Sequence, residues 1–386
     1  MATKTATATG NWSTMTWAEG GTPGSGDTVE AGGYTVTIDV DVNIGSGTLQ
    51  NTAGGGYSVT AGGRTITANV VAVAATCLTL SHTSGTVTLN GNVTGGSSGS
   101  LPLGVRITGA GGTTSIVGNV TAGTSASGYG VHIYSATATL TITGNVAAKG
   151  AYGLVQGNGT VSVTGAVTAS DTTDGQYGIS LALGTLTITG NVSGSTKSGS
   201  GLYQSGGSCT ITGNVYGKSG HGVTISGGTL TLNGTAYGSD TAGYVTGLVA
   251  TSTASVTATA AVGGTLTNTY GIYTESTGLI SVGTATGGTG SSAHGVMAVS
   301  STDALNVYVD VAIGGPNGIG SGTSNTSAGV AASIGGGSAS VRVRVMKWGA
   351  AGACPIVGAV TPIDSAAAYI EVRNPSVKTR RYVRER

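Results

Sequence analysis

Thr139–Val146 reads TLTITGNV, and variants of this octet return at Thr160–Val167 (TVSVTGAV), Thr185–Val192 (TLTITGNV) and Ser208–Val215 (SCTITGNV). Within them Leu140 and Ile142, Val161 and Val163, Leu186 and Ile188, and Cys209 and Ile211 share one parity, continued by Leu230 and Leu232. Thr or Ser fills the other parity. A period of two is that of a strand with one buried face. Gly followed by an aliphatic residue forms a second mark, at Gly104-Val105, Gly130-Val131, Gly153-Leu154, Gly178-Ile179, Gly201-Leu202, Gly222-Val223, Gly247-Leu248, Gly271-Ile272 and Gly295-Val296. The two marks keep one phase.

A repeat of about 21 to 26 residues carrying short strands broken at Gly predicts an all-β fold, a parallel, right-handed β-solenoid. Each coil buries its aliphatics against the coils beside it. The pattern runs back through residues 59–73 and 86–93, and forward past a longer insertion near residues 314–327 to Gly329-Val330 and residues 340–345. About a dozen coils at roughly 4.8 Å each would make a rod about 60 Å long. Asn92, Asn119, Asn145, Asn191 and Asn214 each follow a Gly, where a left-handed corner and a ladder of stacked amides are expected. Open solenoid ends invite edge pairing, so caps are expected. The division read is an N-terminal cap with the first strands at 1–45, solenoid at 46–345, C-terminal cap at 346–372 and basic tail at 373–386. The terminal segments hold all three Trp, at Trp12, Trp17 and Trp348.

Composition agrees with this plan. Gly accounts for 73 of 386 residues, charged residues for 8%, and Phe is absent, yet 38% of residues are apolar and mean hydropathy is +0.22. That is too apolar for disorder, and without Gly-X-Y triplets it is not collagen. Residues 342–386 hold nine of the fifteen Lys and Arg against three acids, so the C-terminus is a distinct basic element. Cys77, Cys209 and Cys354 are far apart with no Cys-x-x-Cys pairing, which predicts buried thiols rather than disulfides or zinc. The opening MATKT lacks a basic region followed by an apolar stretch, and no run of 18 apolar residues occurs, so neither export signal nor membrane insertion is expected.

Chemistry is sparse. No acid lies between Asp41 and Asp171; Asp171 and Asp174 share a loop, and Asp240, Glu275, Asp303 and Asp310 fall on separate coils. The paired carboxylates of glycoside hydrolysis are therefore not expected, Asp303 near Glu275 being the one conceivable pair. His82, His132, His221 and His294 are isolated, and no phosphate-binding loop is present, so the reading is no enzyme, no metal and no cofactor.

Three surface features remain. The residue before the repeat Gly is Tyr129, Tyr152, Tyr177, Ser200, His221, Thr246, Tyr270 and His294 in turn, a file of rings that either stiffens a corner or offers a stripe to a sugar or neighbouring subunit. The Thr parity makes a flat hydroxyl face like that of ice-binding solenoids, although variable coil length is expected to spoil a regular lattice. The tail RNPSVKTRRYVRER places Arg373, Lys378, Arg380, Arg381, Arg384 and Arg386 in one short segment. Without a wider basic surface it predicts a peg for an acidic partner protein rather than a nucleic-acid reader.

The opening residues 10–41, GNWSTMTWAEGGTPGSGDTVEAGGYTVTIDVD, carry Trp12, Trp17, Gly21, Pro23, Gly26, Asp27, Val29 and Tyr34 to Asp39. This resembles the Trp- and Gly-rich module that opens β-solenoid surface and virion proteins of bacteria and tailed phages. The resemblance implies that these residues cap the first coils. It also implies a non-enzymatic phage virion protein, either head decoration or a tail fibre or spike, on the virion surface and released by lysis. Its implied partners are other virion proteins, copies of itself as a homo-oligomer such as a trimer, and a host surface glycan. A secreted bacterial adhesin or filament subunit, and an ice-binding protein, are the alternative classes.

Overall fold

The computed structural model describes residues 1–53, 55–73, 77–97, 103–109, 111–124, 128–171, 176–241, 245–266, 268–289, 293–300 and 305–314, and the strand backbones at 330–334, 339–347, 356–359, 369–374 and 377–382. The fold is all-β, a parallel β-solenoid of about a dozen turns, and no α-helix occurs among the described residues. The chain divides into two compact units, Met1–Asn191 and Val192–Arg386.

In the first unit each turn gives a short strand to one sheet and a longer or two-part strand to another. The short strands Leu78–Leu80, Val105–Ile107, Val131–Ile133, Leu154–Gln156 and Ile179–Leu181 begin one residue after the repeat Gly wherever that mark is present, and pair in parallel without slippage. The long-face strands Thr86–Asn90, Thr113–Val117, Thr139–Thr143, Thr160–Thr164 and Thr185–Thr189 hold equally strict register. The alternation decides what is buried: Leu140, Ile142, Val161, Val163, Leu186 and Ile188 are all 0% exposed. Fully burying each such side chain contributes about 1.5–3 kcal/mol.

The corner after each long strand is where the coil turns, and the left-handed residue there is the Gly, not the Asn that follows it. Gly144 has φ +151°, and a Cβ at that site would lie 2.2 Å from the Gly118 carbonyl oxygen one coil away. The following Asn does build the expected ladder. Its side-chain oxygen accepts a backbone N–H from the next coil, Asn92 to Asn69 at 3.1 Å, Asn119 to Asn92 at 2.9 Å, Asn145 to Asn119 at 2.8 Å and Ala166 to Asn145 at 2.8 Å. The rungs are thus mainly amide oxygen to backbone rather than amide to amide.

Stacking already begins inside the expected N-terminal cap. Thr3–Thr5 pairs in parallel with Thr28–Glu30, which pairs with Val42–Asn51. Trp12 and Trp17 are buried and meet edge to face at 5.0 Å. Carboxylates brace these turns by accepting backbone N–H groups. Glu19 takes that of Thr5 (2.7 Å), Asp27 those of Ala2 (2.8 Å) and Gly24 (2.9 Å), Asp39 that of Ser13 (2.9 Å) and Asp41 that of Thr65 (2.8 Å). The nearly buried Glu30 takes those of Gly32 (3.1 Å) and Thr52 (2.9 Å) and the Gln50 amide (3.2 Å).

The second unit repeats the plan with Leu202–Gln204, Val223–Ile225, Leu248–Ala250 and Ile272–Thr274 on the short face, and Ser208–Thr212, Thr229–Tyr237, Ser255–Val262 and Leu279–Thr286 on the long one. Among these pairs register shifts between Leu232 and Thr235. Parallel pairing continues beyond residue 345, because Ala339–Lys347 pairs with Tyr369–Asn374. Val377–Tyr382 then folds back antiparallel, with Arg381 opposite Glu371 and Arg380 opposite Val372. The boundary read at 372/373 therefore runs through a strand. Trp348 and Cys354 lie outside the described residues. Cys77 and Cys209 are buried, and burial pushes both thiols up to about 12.

Candidate functional site

The file of rings forms in pieces. In the first unit Tyr129 lies 5.3 Å from Tyr152, and Tyr152 stacks on Tyr177 at 5.6 Å and 29°. In the second, Tyr270 stacks on His294 at 5.5 Å and 6°. His221, between these groups in sequence, accepts the Thr246 N–H through Nδ1 at 3.0 Å, and burial lowers its pKa, which keeps the ring neutral for that role. All six rings are half-buried. In the stacked pairs Tyr152–Tyr177 and Tyr270–His294 each ring covers a face of its neighbour. That geometry suits a corner brace better than a sugar stripe, which needs open ring faces. A second stacked pair, Tyr216 on Tyr237 at 5.1 Å and 5°, escaped the sequence reading, although both residues precede a Gly one turn apart.

The Thr face is more regular than coil length predicts. Thr86, Thr113, Thr139, Thr160 and Thr185 form one in-register file, and Thr88, Ser115, Thr141, Ser162 and Thr187 a second. Thr143, Thr164 and Thr189 begin a third, fully exposed one. The variation in coil length falls outside these strands, so the hydroxyl array is not broken by it. In the second unit Ser208–Thr229–Ser255 and Thr210–Thr231–Thr257 continue the motif, but the latter file then passes through Ser281 and Tyr308.

Of the basic residues, Arg373 sits on Tyr369–Asn374 and Lys378, Arg380 and Arg381 on Val377–Tyr382, while Arg384 and Arg386 lie outside the described residues. Asp174 and Asp303 also lie outside them, and Glu275 receives a hydrogen bond from the Tyr273 hydroxyl. No group of three or more metal-ligating side chains occurs among the described residues.

One cluster in the first unit was not legible beforehand. Arg106 and His132 are register partners on neighbouring short strands, each at the middle position between buried aliphatics. His132 is 4% exposed and lies between Tyr134, at 3.7 Å between ring centres, and Tyr129, edge-on at 5.1 Å. Burial, and then the Arg106 charge, lowers the His132 pKa to about 4, so the ring is neutral near pH 7. Its Nδ1 and the Arg106 Nε are buried with no hydrogen-bond partner among the described residues. Tyr134 is 56% exposed.

No family model, curated protein or solved structure matches the chain.

Proposed function

We propose that this chain is a non-enzymatic structural and adhesive protein of a phage virion surface, serving as head decoration or as a tail fibre or spike. The observation that carries this reading is how the polar side chains are used: Asn oxygens, corner glycines, stacked rings and N-terminal carboxylates all tie one coil to the next. A lattice built this way presents long repetitive faces, which suits a particle surface. The resemblance of residues 10–41 to the opening module of virion and bacterial surface solenoids supports it further.

The test is immunogold electron microscopy of native particles with antibody to the purified chain. Gold on capsids or tails is the expected result, and its position separates decoration from fibre. Gold on cell envelopes or capsid-free filaments overturns the proposal in favour of an adhesin or filament subunit. Deleting residues 377–386 is expected to leave a β-type circular dichroism spectrum and to abolish attachment; loss of the β spectrum would make that strand a cap instead.

A second reading, ice binding, is favoured by the unbroken register of the Thr files across five coils. Faceted ice crystals growing in the purified protein would support it, and unshaped discs would remove it.

A further inference from the structure

We propose that Arg106, His132 and Tyr134 form a binding subsite for a carboxylate-bearing sugar. The inference rests on the adhesive reading above and names the class of surface glycan such a protein would grip.

The argument begins with charge. No Asp or Glu occurs anywhere from residue 42 to residue 170, so the coils carrying Arg106 supply it with no counter-ion, and the guanidinium forms no ion pair or side-chain hydrogen bond among the described residues. A half-buried cation with no counter-ion is costly to hold, and the planar fork of an Arg is matched by a carboxylate. An anionic ligand reaching the fork would relieve that cost.

Shape narrows the ligand. Tyr134 leaves more than half its surface in solvent beside the neutral His132 ring, and His132 is the register partner of Arg106, so exposed aromatic surface lies one strand from the cation. A sugar ring offers apolar C–H groups to such a surface, and its carboxylate can extend to the guanidinium. Arg106 is also a single charge, with Arg64 and Lys149 the next cations along the chain. One charge per subsite suits one acidic sugar; a phosphodiester chain would call for several. Tyr129 packs edge-on against His132.

The experiment is isothermal titration of the full chain with oligogalacturonate and with sialyllactose, against neutral maltohexaose and inorganic phosphate. Binding to at least one carboxylated sugar, weakened by salt and absent for maltohexaose and phosphate, is expected. Arg106→Gln should lower affinity about tenfold or more, Arg106→Lys should fall between, Tyr134→Ala should lose about tenfold and Tyr134→Phe should retain binding. Circular dichroism checks the fold of each variant; should Arg106→Gln misfold, Arg106→Lys and Tyr134→Ala decide. No binding to either acidic sugar, equal binding to the neutral sugar or phosphate, or a folded Arg106→Gln with unchanged affinity overturns the site. Acidic-sugar binding by a protein found on cell envelopes would keep the site and reject the virion; a virion protein indifferent to these sugars would do the reverse.

Discussion

The opening turns and the regular coils of the first unit solve one problem with different chemistry. In both, a side-chain oxygen accepts a backbone N–H that the turn leaves unpaired. In residues 1–58 the acceptor is mostly a carboxylate, from Glu19, Asp27, Glu30, Asp39 and Asp41; from Asn69 to Ala166 it is an Asn amide. The reason lies in repetition. An ionised acceptor makes the stronger bond, but carboxylates repeated at a strand spacing of about 4.8 Å would repel their neighbours. A neutral amide can recur in every coil at no such cost. Carboxylate acceptors therefore serve the irregular opening turns, where each occurs once.

The comparison can be broken most severely at the corner. Gly144→Val is expected to cost about 3 kcal/mol or more, since it puts a Cβ against the Gly118 carbonyl and forces φ +151° on a β-branched residue. The neighbouring exposed Thr143→Val should stay within about 0.5 kcal/mol. Urea denaturation of both checks this, and equal midpoints would show that the corner tolerates a side chain.

A smaller effect tests the repetition argument itself. Asn119→Ala should cost about 1 kcal/mol by removing the acceptor of the Asn145 N–H. Asn119→Asp with Asn145→Asp should cost more at pH 7 than the two single changes together, with the excess vanishing at pH 3. Strict additivity at pH 7 would refute the account of why the ladder is neutral.

The smallest effect is expected at the first turns. Glu19 is held below the usual carboxylate range by the Thr5 N–H and hydroxyl, and Asp27 by the N–H groups of Ala2 and Gly24. Asp39 is also lowered, the Ser13 hydroxyl and N–H outweighing the upward push of burial. Groups whose pKa falls on folding contribute stability above their unfolded pKa, and lose it as pH drops through the folded value. Hydrogen exchange should therefore show the Ala2, Thr5, Ser13 and Gly24 amides opening below about pH 4 while Asn119 and Asn145 stay protected. Uniform opening along the unit would remove the distinction.

Most of the lattice was legible because it repeats. Alternation at Leu140/Ile142 or Leu186/Ile188 marked the core, and Asn recurring after Gly marked the ladder. What stayed hidden does not recur. The outward middle position of the short strands runs Ser58, Thr79, Arg106, His132, Val155, Ser180, so no periodicity announces that Arg106 meets His132. Buried Gln156 and Gln204 were also missed. Each donates to its own turn and to the next coil, Gln156 to Gly159 and Thr185, and Gln204 to Gly207 and Thr229. A lone Gln reads as surface until the coil closes over it. The left-handed corner expected at each Gly-Asn pair is taken by the Gly, the residue that adopts positive φ most readily.

The strict register of the long-face strands also bears on how such a chain changes length over generations. A recombination event that duplicates or removes one whole period leaves every aliphatic facing an aliphatic and every ladder Asn oxygen facing the N–H it accepts, and alters length by one strand spacing of about 4.8 Å. An in-frame gain of a single residue within a strand would instead reverse which side chains face inward. Inheritance in this lattice thus favours change by whole turns, so lineages should differ in discrete steps of reach while keeping the same faces.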